Sequence, residues 1–237
     1  MTQELEPAEL AGTAREQDPT THAVPWKERL QRRWRRRRLQ AFVDRLGVRR
    51  DDHILDLGGN IETWALVEQP CRLTLLNMDE ASAGTLRPWR LPTNGTRWQV
   101  VVGDATDLSQ FADGAFDIVF SNSVIEHLGD ADRVARFARE VRRVSRRYWV
   151  QTPAWTFPIE AHTGLPLYWF YPRPLRDAWA ARHDRRHADE PWHCPLAQTS
   201  YLRLDELREL FPDAEVYTER VWGCTKSWSM YRNGSSR

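Results

Sequence analysis

The chain lacks the features that mark several classes of protein. Its 237 residues contain only three cysteines, Cys71, Cys194 and Cys224, which are widely spaced and odd in number. This usage argues against a disulfide framework and fits a reducing compartment. The sequence has no run of about 18 apolar residues, and Met1 is not followed by a basic and then an apolar segment. We therefore expect a cytoplasmic protein with neither a membrane span nor a secretion signal.

Charge is unevenly distributed along the chain, although the net charge is only +1. Residues 1–25 hold five acids against Arg15, which gives −4, and residues 26–50 hold eleven bases against two acids, which gives +9. The remaining residues sum to −4. We predict a disordered acidic tail over residues 1–25. The length suits one domain over residues 26–237, which begins with a basic helical extension at residues 26–50.

The basic extension carries two apolar stripes at helical spacing, which predict two helical pieces or one bent helix. The stripes are Trp26, Leu30 and Trp34, and then Leu39, Phe42 and Leu46. For the arginines of residues 29–40 the favoured interpretation is a solvated helix face. A second is binding of a phosphate-bearing substrate or of anionic lipid, which would place the protein peripherally at the inner membrane face. Nucleic acid is disfavoured, because no recognition motif accompanies the charge.

The segment HILDLGGN, His53 to Asn60, predicts a buried strand that ends in an acidic residue and a glycine turn. Such a turn exposes backbone N–H groups where a helix begins, which is how α/β sheets bind nucleotide-like ligands. Side chains at Gly58 or Gly59 would hold a ligand away from this backbone. We therefore predict that a nucleotide-type cofactor binds after the first strand.

Three further apolar runs also end in polar residues or turns. Arg72 to Asn77 is followed by Asp79, Trp98 to Val102 leads to Asp104, and Phe116 to Ser121 opens the segment SNSVIEHL. In a doubly wound sheet these ends share one edge, where the polar residue after the second strand meets the ribose of a nucleoside.

These motifs resemble those of class I S-adenosylmethionine-dependent methyltransferases of the type 11 kind, over roughly residues 51–150 and more loosely to Arg232. The resemblance implies an α/β, Rossmann-like, doubly wound and mainly parallel seven-stranded sheet. It also implies an antiparallel C-terminal strand and a cover inserted after strand 5. The implied cofactor is S-adenosylmethionine.

The resemblance also implies roles for individual residues. Asp56, Gly58 and Gly59 would hold the methionine end of the cofactor, and Asn77 or Asp79 the ribose. Asp104 would accept from the adenine amine beside Ala105, and Ser121 and Asn122 would lie under the sulfonium. Glu126 and His127 match the pair that commonly opens the next helix.

Two departures from the family pattern concern loops. Asn60-Ile61-Glu62 stands where most relatives carry a third glycine, and Ser145-Arg146-Arg147 replaces a Pro-Gly-Gly turn. The missing glycine also disfavours a nicotinamide-dependent oxidoreductase, whose G-x-G-x-x-G fingerprint needs it. That oxidoreductase remains one alternative. A non-catalytic binding protein with a cofactor fold is the other, suggested by the unusual first loop and the basic helix.

Residues 153–203 have no sustained apolar period and hold seven of the fourteen prolines and nine of the twenty-six aromatic residues. This composition predicts an ordered substrate-covering insertion without a long regular helix. A flap that packs on the sheet without contacting substrate is the alternative. Its first part, QTPAWTFPIEAHTGLP, resembles enzymes that modify sugars or glycans. The predicted function is O-methylation of a small molecule or glycan.

In-line methyl transfer depends mainly on positioning, but a hydroxyl acceptor must also lose its proton. The candidate catalytic bases are His162, Glu160 and His127, with His162 slightly favoured. His127 could instead cap or pack its helix, and Glu160 could instead anchor its loop. His183 and His187 share a helix face near His193 and Cys194, but the glutamate of the zinc-protease motif is missing, so we predict no metal site. The methyl acceptor and the oligomeric state stay open.

Overall fold

The computed structural model describes residues 26–69, 71–78, 94–160, 163–187 and 199–234. The predicted acidic tail lies outside these residues, and so do Asp79 and His162.

The described chain alternates strands and helices from the first strand to the fifth. The strands are β1 (His53–Leu57), β2 (Arg72–Asn77), β3 (Arg97–Val102), β4 (Ile118–Asn122), β5 (Tyr148–Pro153), β6 (Glu215–Val221) and β7 (Cys224–Arg232). The α-helices are α1 (Trp26–Leu46), α2 (Ile61–Trp64), α3 (Ala131–Val144), α4 (Arg173–His187) and α5 (Leu204–Leu210). Two short 3-10 helices are Ile125–His127 and Tyr168–Phe170.

The strands form a seven-stranded sheet in the order β3-β2-β1-β4-β5-β7-β6. Strands β1 to β5 pair in parallel, and β7 runs antiparallel between β5 and β6. The predicted Rossmann-like, mainly parallel fold with an antiparallel C-terminal strand is therefore confirmed. The strand order reverses between β1 and β4, and the carboxyl edge at such a reversal is where α/β sheets bind ligands.

Helices cover both faces of the sheet, which explains why β1 is almost continuously apolar. Leu55 and Leu57 belong to a core cluster with residues of α3 and α5, including Phe137. Ile54 belongs to the opposite cluster with residues of α1 and α2, including Phe42. Because the first helix completes one of these cores, the basic extension is part of the folded domain.

Of the two predicted forms of the basic extension, the structure shows a single helix and not two pieces. Helix α1 is one continuous element, since no glycine or proline interrupts Trp26–Leu46 and its second half packs Phe42 and Leu46 on the sheet. Helix α2 is short and ends at Trp64. Backbone bonds from Leu66 to Thr63 and from Val67 to Trp64 span three residues, so the chain leaves the helix through tighter turns.

The insertion after β5 contains a 15-residue helix, α4, so the prediction of no long regular helix was wrong for this part. Pro172 and Pro174 flank the start of the helix, where a missing N–H is tolerated. Most described side chains of α4 are exposed. The helix therefore has no core-facing stripe, and an apolar period could not reveal it.

Helix α1 is fixed to the sheet by the buried guanidinium of Arg38, which is 7% exposed. Its Nε donates to Glu219 Oε2 at 3.0 Å, and its Nη1 donates to Asn122 Oδ1 at 2.6 Å and to Gln151 Oε1 at 2.9 Å. Its Nη2 lies 2.9 Å from Glu219 Oε2. One side chain thereby joins α1 to β4, β5 and β6 near the carboxyl edge of the parallel strands.

We predict that Arg38→Ala lowers the free energy of unfolding by about 3–5 kcal/mol, because it leaves Glu219 buried without its main cation. Chemical denaturation measures the change. Arg37→Ala is the matched control, since Arg37 is exposed on the same helix and its removal should leave stability nearly unchanged. Equal stability of the two variants would contradict the assignment.

Candidate active site

The turn after β1 contains two glycines, and a different steric constraint requires glycine at each position. Gly58 has φ +68°, a conformation that favours glycine, and its N–H donates to the Leu76 carbonyl at 2.8 Å. A Cβ on Gly59 would lie 1.9 Å from Asp56 Oδ2. The Asp56 carboxyl therefore packs directly against the loop backbone, which only glycine permits.

Asp56 is a buried acid at the cavity edge, with 1% of its surface exposed. Its Oδ2 accepts a 2.7 Å hydrogen bond from Trp64 Nε1. Burial raises the pKa of Asp56 to about 7, against the opposing effect of this hydrogen bond. Near neutral pH the carboxyl is therefore divided between its two forms, and a bound cation would favour the charged one.

Asn60 explains how the loop enters α2 without a third glycine. Its Oδ1 accepts from the Glu62 backbone N–H at 2.9 Å, so Asn60 acts as the N-cap of the helix. The Asn60 side chain therefore starts α2 at the place where most relatives carry a third glycine.

A cavity of about 920 Å³ opens beside this loop. It is bounded by α1, by the β1 loop, by the ends of β4 and β5, by the first part of the insertion and by β7. The predicted site residues that line it are Asp56, Gly58, Gly59, Asn122 and Glu160. The structure thus brings the predicted methionine-binding loop and one predicted base to the same cavity.

Other predicted cofactor residues do not line this cavity. Asn77 is 6% exposed, and its Nδ2 donates to the Gly59 carbonyl at 3.0 Å, so in this structure its amide supports the first loop. Ser121 is fully buried at the end of β4. Their predicted contacts with the cofactor remain predictions.

Asp104 lies after β3, with Ala105 buried beside it. The Thr106 N–H donates to Asp104 Oδ1 at 2.8 Å, and Arg133 Nη2 donates to Oδ2 at 3.0 Å. Partial burial opposes ionisation, but these hydrogen bonds hold the pKa of Asp104 below its ordinary value. Asp104 is therefore an oriented carboxylate at the sheet edge, and its predicted adenine contact is untested.

Glu160 is an anchored carboxylate with 4% of its surface exposed. The N–H and the hydroxyl of Thr163 donate to its Oε2 at 2.5 and 2.7 Å, and the Tyr201 hydroxyl donates to its Oε1. Burial and the adjacent Glu160 charge raise the pKa of Tyr201. These contacts give Glu160 the anchoring role that the sequence left as an alternative to that of base.

His127 lies in the 3-10 helix after β4 and does not line the cavity. Its Nδ1 is 3.4 Å from the Thr199 hydroxyl, and the Ser200 N–H donates to the Glu126 carbonyl. Glu126 itself is fully buried and accepts from the Thr152 hydroxyl at 3.0 Å. This segment therefore connects β4 and β5 to the end of the insertion.

The cavity has a cationic wall, which the sequence suggested only as a second interpretation of the arginines and did not suggest for Lys226. It consists of Arg32, Arg35 and Arg38 from α1 and Lys226 from β7. Lys226 Nζ lies 5.0 Å from the centre of the Trp34 ring and 3.5 Å from Glu219 Oε1. The spacing of three and six residues among the arginines was the available signal, because it places them on one helix face.

The described residues contain no group of three His, Cys, Asp or Glu side chains that could hold a metal ion. His193 and Cys194 lie outside them. Among the helices described, none is long and apolar enough to cross a membrane.

Residues 56–147 match the family model described as methyltransferase domain. This stretch begins at Asp56 and ends just before β5, so it covers the loop and the sheet edge described above. Over these residues the predictions of an S-adenosylmethionine-dependent methyltransferase domain, and of S-adenosylmethionine as its cofactor, are confirmed. No curated protein shows significant sequence similarity to the chain.

Two solved structures illustrate the similarity in fold. Magnesium protoporphyrin IX methyltransferase from Synechocystis PCC 6803, with bound S-adenosylhomocysteine, has 10% identity, a TM-score of 0.56 and coverage of 89% of either chain. The PH0226 protein from Pyrococcus horikoshii OT3 has 15% identity and a TM-score of 0.53, covering 88% of this chain and 92% of its own. At these identities the similarity concerns the fold.

We predict that Asp56→Asn makes the free energy of unfolding less dependent on pH. The raised pKa means that folded Asp56 holds its proton between about pH 4 and pH 7 while the unfolded chain releases it, so wild-type stability falls as pH rises through this window. At pH 8 the variant should be more stable by on the order of 2 kcal/mol, with little difference at pH 4.

Urea denaturation of both proteins between pH 4 and pH 8 measures this difference. Asp51→Asn is the control, because Asp51 is exposed and its removal should leave the wild-type pH dependence in place. Parallel pH profiles for Asp56→Asn and the wild type would contradict the raised pKa.

Proposed function

We propose that this enzyme transfers a methyl group from S-adenosylmethionine to a hydroxyl of a small molecule or glycan. The observation that supports this most directly is the shared cavity, which joins the loop after β1 to the insertion after β5. A cofactor held by the loop and an acceptor held by the insertion would meet in one space. Its volume of about 920 Å³ lies in the upper range of ligand pockets.

The first loop fits the methionine end of the cofactor. Gly58 and Gly59 leave the backbone accessible, and the Asp56 carboxyl lies beside them where a cationic amino group would favour its charged form. When bound, S-adenosylmethionine supplies a methyl group on a positively charged sulfur. Asn77 would act indirectly, by fixing the Gly59 carbonyl.

The acceptor would be oriented by the insertion. Glu160 and Tyr201 line the cavity and are bonded to each other, so they form a fixed part of its wall. Because Glu160 already accepts from Thr163 and Tyr201, we assign it to positioning and His162 to removal of the hydroxyl proton. An imidazole titrates near neutral pH and suits that task. His127 is the remaining candidate base.

We predict that the purified protein binds S-adenosylmethionine and S-adenosylhomocysteine but not NADH in calorimetric titrations. Asp56→Ala and Gly59→Ala should each abolish measurable binding, because one removes the carboxyl and the other places a Cβ against it. Gly114→Ala is the control, because a Cβ at Gly114 meets no atom within 4 Å and Gly114 does not line the cavity. Failure of the folded wild-type protein to bind either adenosyl compound would refute the proposal.

The base assignment has a separate test in a screen of hydroxylated sugars and small metabolites with labelled cofactor. We predict that His162→Ala keeps its affinity for S-adenosylhomocysteine but loses on the order of 10²-fold or more in kcat. His183→Ala is the control, because His183 lies on helix α4 and does not line the cavity. Unchanged turnover in His162→Ala would assign the proton transfer to another group.

A further inference from the structure

We propose that the methyl acceptor carries a phosphate group, which binds to the wall of the cavity formed by Arg32, Arg35 and Lys226. This inference rests on the proposed function, since it names the acceptor class of the same site. The proposal divides the arginines of α1 into one set that lines the cavity and binds the phosphate and another set that lies outside the cavity.

The first argument is the orientation of α1. Gln31, Arg32, Arg35 and Arg38 line the cavity, whereas Arg33, Arg36 and Arg37 do not. Residues three or four apart lie on the same face of a helix, so the cavity-facing residues form one stripe. Three guanidinium groups therefore contribute to the lining of the active-site cavity.

The second argument is the electrostatic environment at the end of this stripe. Lys226 is mostly buried, and its ammonium group stands over the Trp34 ring, 3.5 Å from Glu219. Burial and then the Arg38 charge lower the pKa of Lys226 to about 8, with a further contribution from Arg35 and opposition from Glu219. Arg38 and Arg35 thus add positive charge around Lys226, and an anion in the cavity would favour the charged form of the lysine.

The carboxylates of the cavity lie on other elements than the cations. Asp56 belongs to β1 and Glu62 to α2, and Glu160 is bonded to Thr163 and Tyr201. Arg38 donates to Glu219, Asn122 and Gln151, so it supports the wall and is not counted as a ligand. We therefore assign phosphate binding to Arg32 and Arg35 of α1 and to Lys226 of β7.

Phosphate is the anion that this wall suits best. Guanidinium groups bind phosphate oxygens through paired N–H donors, and a lysine ammonium adds a compact charge. Two arginines and a lysine can meet several phosphate oxygens at once. The phosphate would hold the acceptor at α1 and β7 while its hydroxyl reaches toward the cofactor.

Calorimetric titration of the S-adenosylhomocysteine-saturated protein with inorganic pyrophosphate tests the proposal. We expect binding that weakens with salt, and a loss of affinity on the order of ten-fold or more in Arg32→Gln/Arg35→Gln. Arg33→Gln/Arg36→Gln is the matched control, because it removes the same charge from the same helix outside the cavity. Retained pyrophosphate affinity in this control supports the proposal.

Three results would overturn the proposal. One is wild-type protein that binds S-adenosylhomocysteine but not pyrophosphate, which would leave the methyltransferase assignment intact. Another is an equal loss of pyrophosphate affinity in both double variants. The last is weaker S-adenosylhomocysteine binding in Arg32→Gln/Arg35→Gln, which would assign the arginines to the cofactor carboxylate. If that variant does not fold, Lys226→Gln provides the same comparison.

A soluble and a lipid-linked phosphate are distinguished by co-sedimentation with phosphatidylglycerol vesicles. Vesicle binding that pyrophosphate displaces, and that Arg32→Gln/Arg35→Gln lacks, indicates a lipid-linked acceptor. Pyrophosphate binding without sedimentation indicates a soluble one. Vesicle binding that depends equally on Arg33 and Arg36 and resists pyrophosphate would show a general surface attraction and overturn the proposal.

Discussion

The buried Arg38 guanidinium is the interaction on which the arrangement of the site depends. Removing a cation from water costs several kcal/mol, and here Glu219 and two amide oxygens offset that cost. These acceptors lie on β4, β5 and β6. The guanidinium can therefore make all of its hydrogen bonds in only one position of α1. Helix α1 therefore extends over the sheet edge in a defined orientation and closes one side of the cavity.

A second constraint acts at the loop after β1. The Asp56 carboxyl lies against the loop backbone and accepts from Trp64 Nε1, in a space that a Cβ on Gly59 would occupy. Together the two constraints fix α1 and the loop on the sheet. The cavity lining therefore combines a buried acid with the cations of α1 and Lys226.

The sequence predicted an element correctly where the spacing of its apolar residues matches the face that the element buries. The strand runs end in polar residues or turns, as expected, and those of β1 and β4 are buried in the sheet. Prediction failed at α4, whose exposed surface leaves no apolar period. Asn77 shows the same limit within the site, since its hydrogen bond to Gly59 joins residues 18 positions apart.

The sequence by itself indicated the fold class, through its resemblance to a known family, and it located the glycine loop after the first strand, because that loop follows from a local pattern and from steric limits. Only the tertiary structure decided that α1 lines the cavity and that Lys226, near the far end of the chain, lies beside Arg38 and Glu219. The reason is physical. Charge neutralisation among buried groups depends on distances between elements, and nothing in the spacing of residues along the chain encodes them.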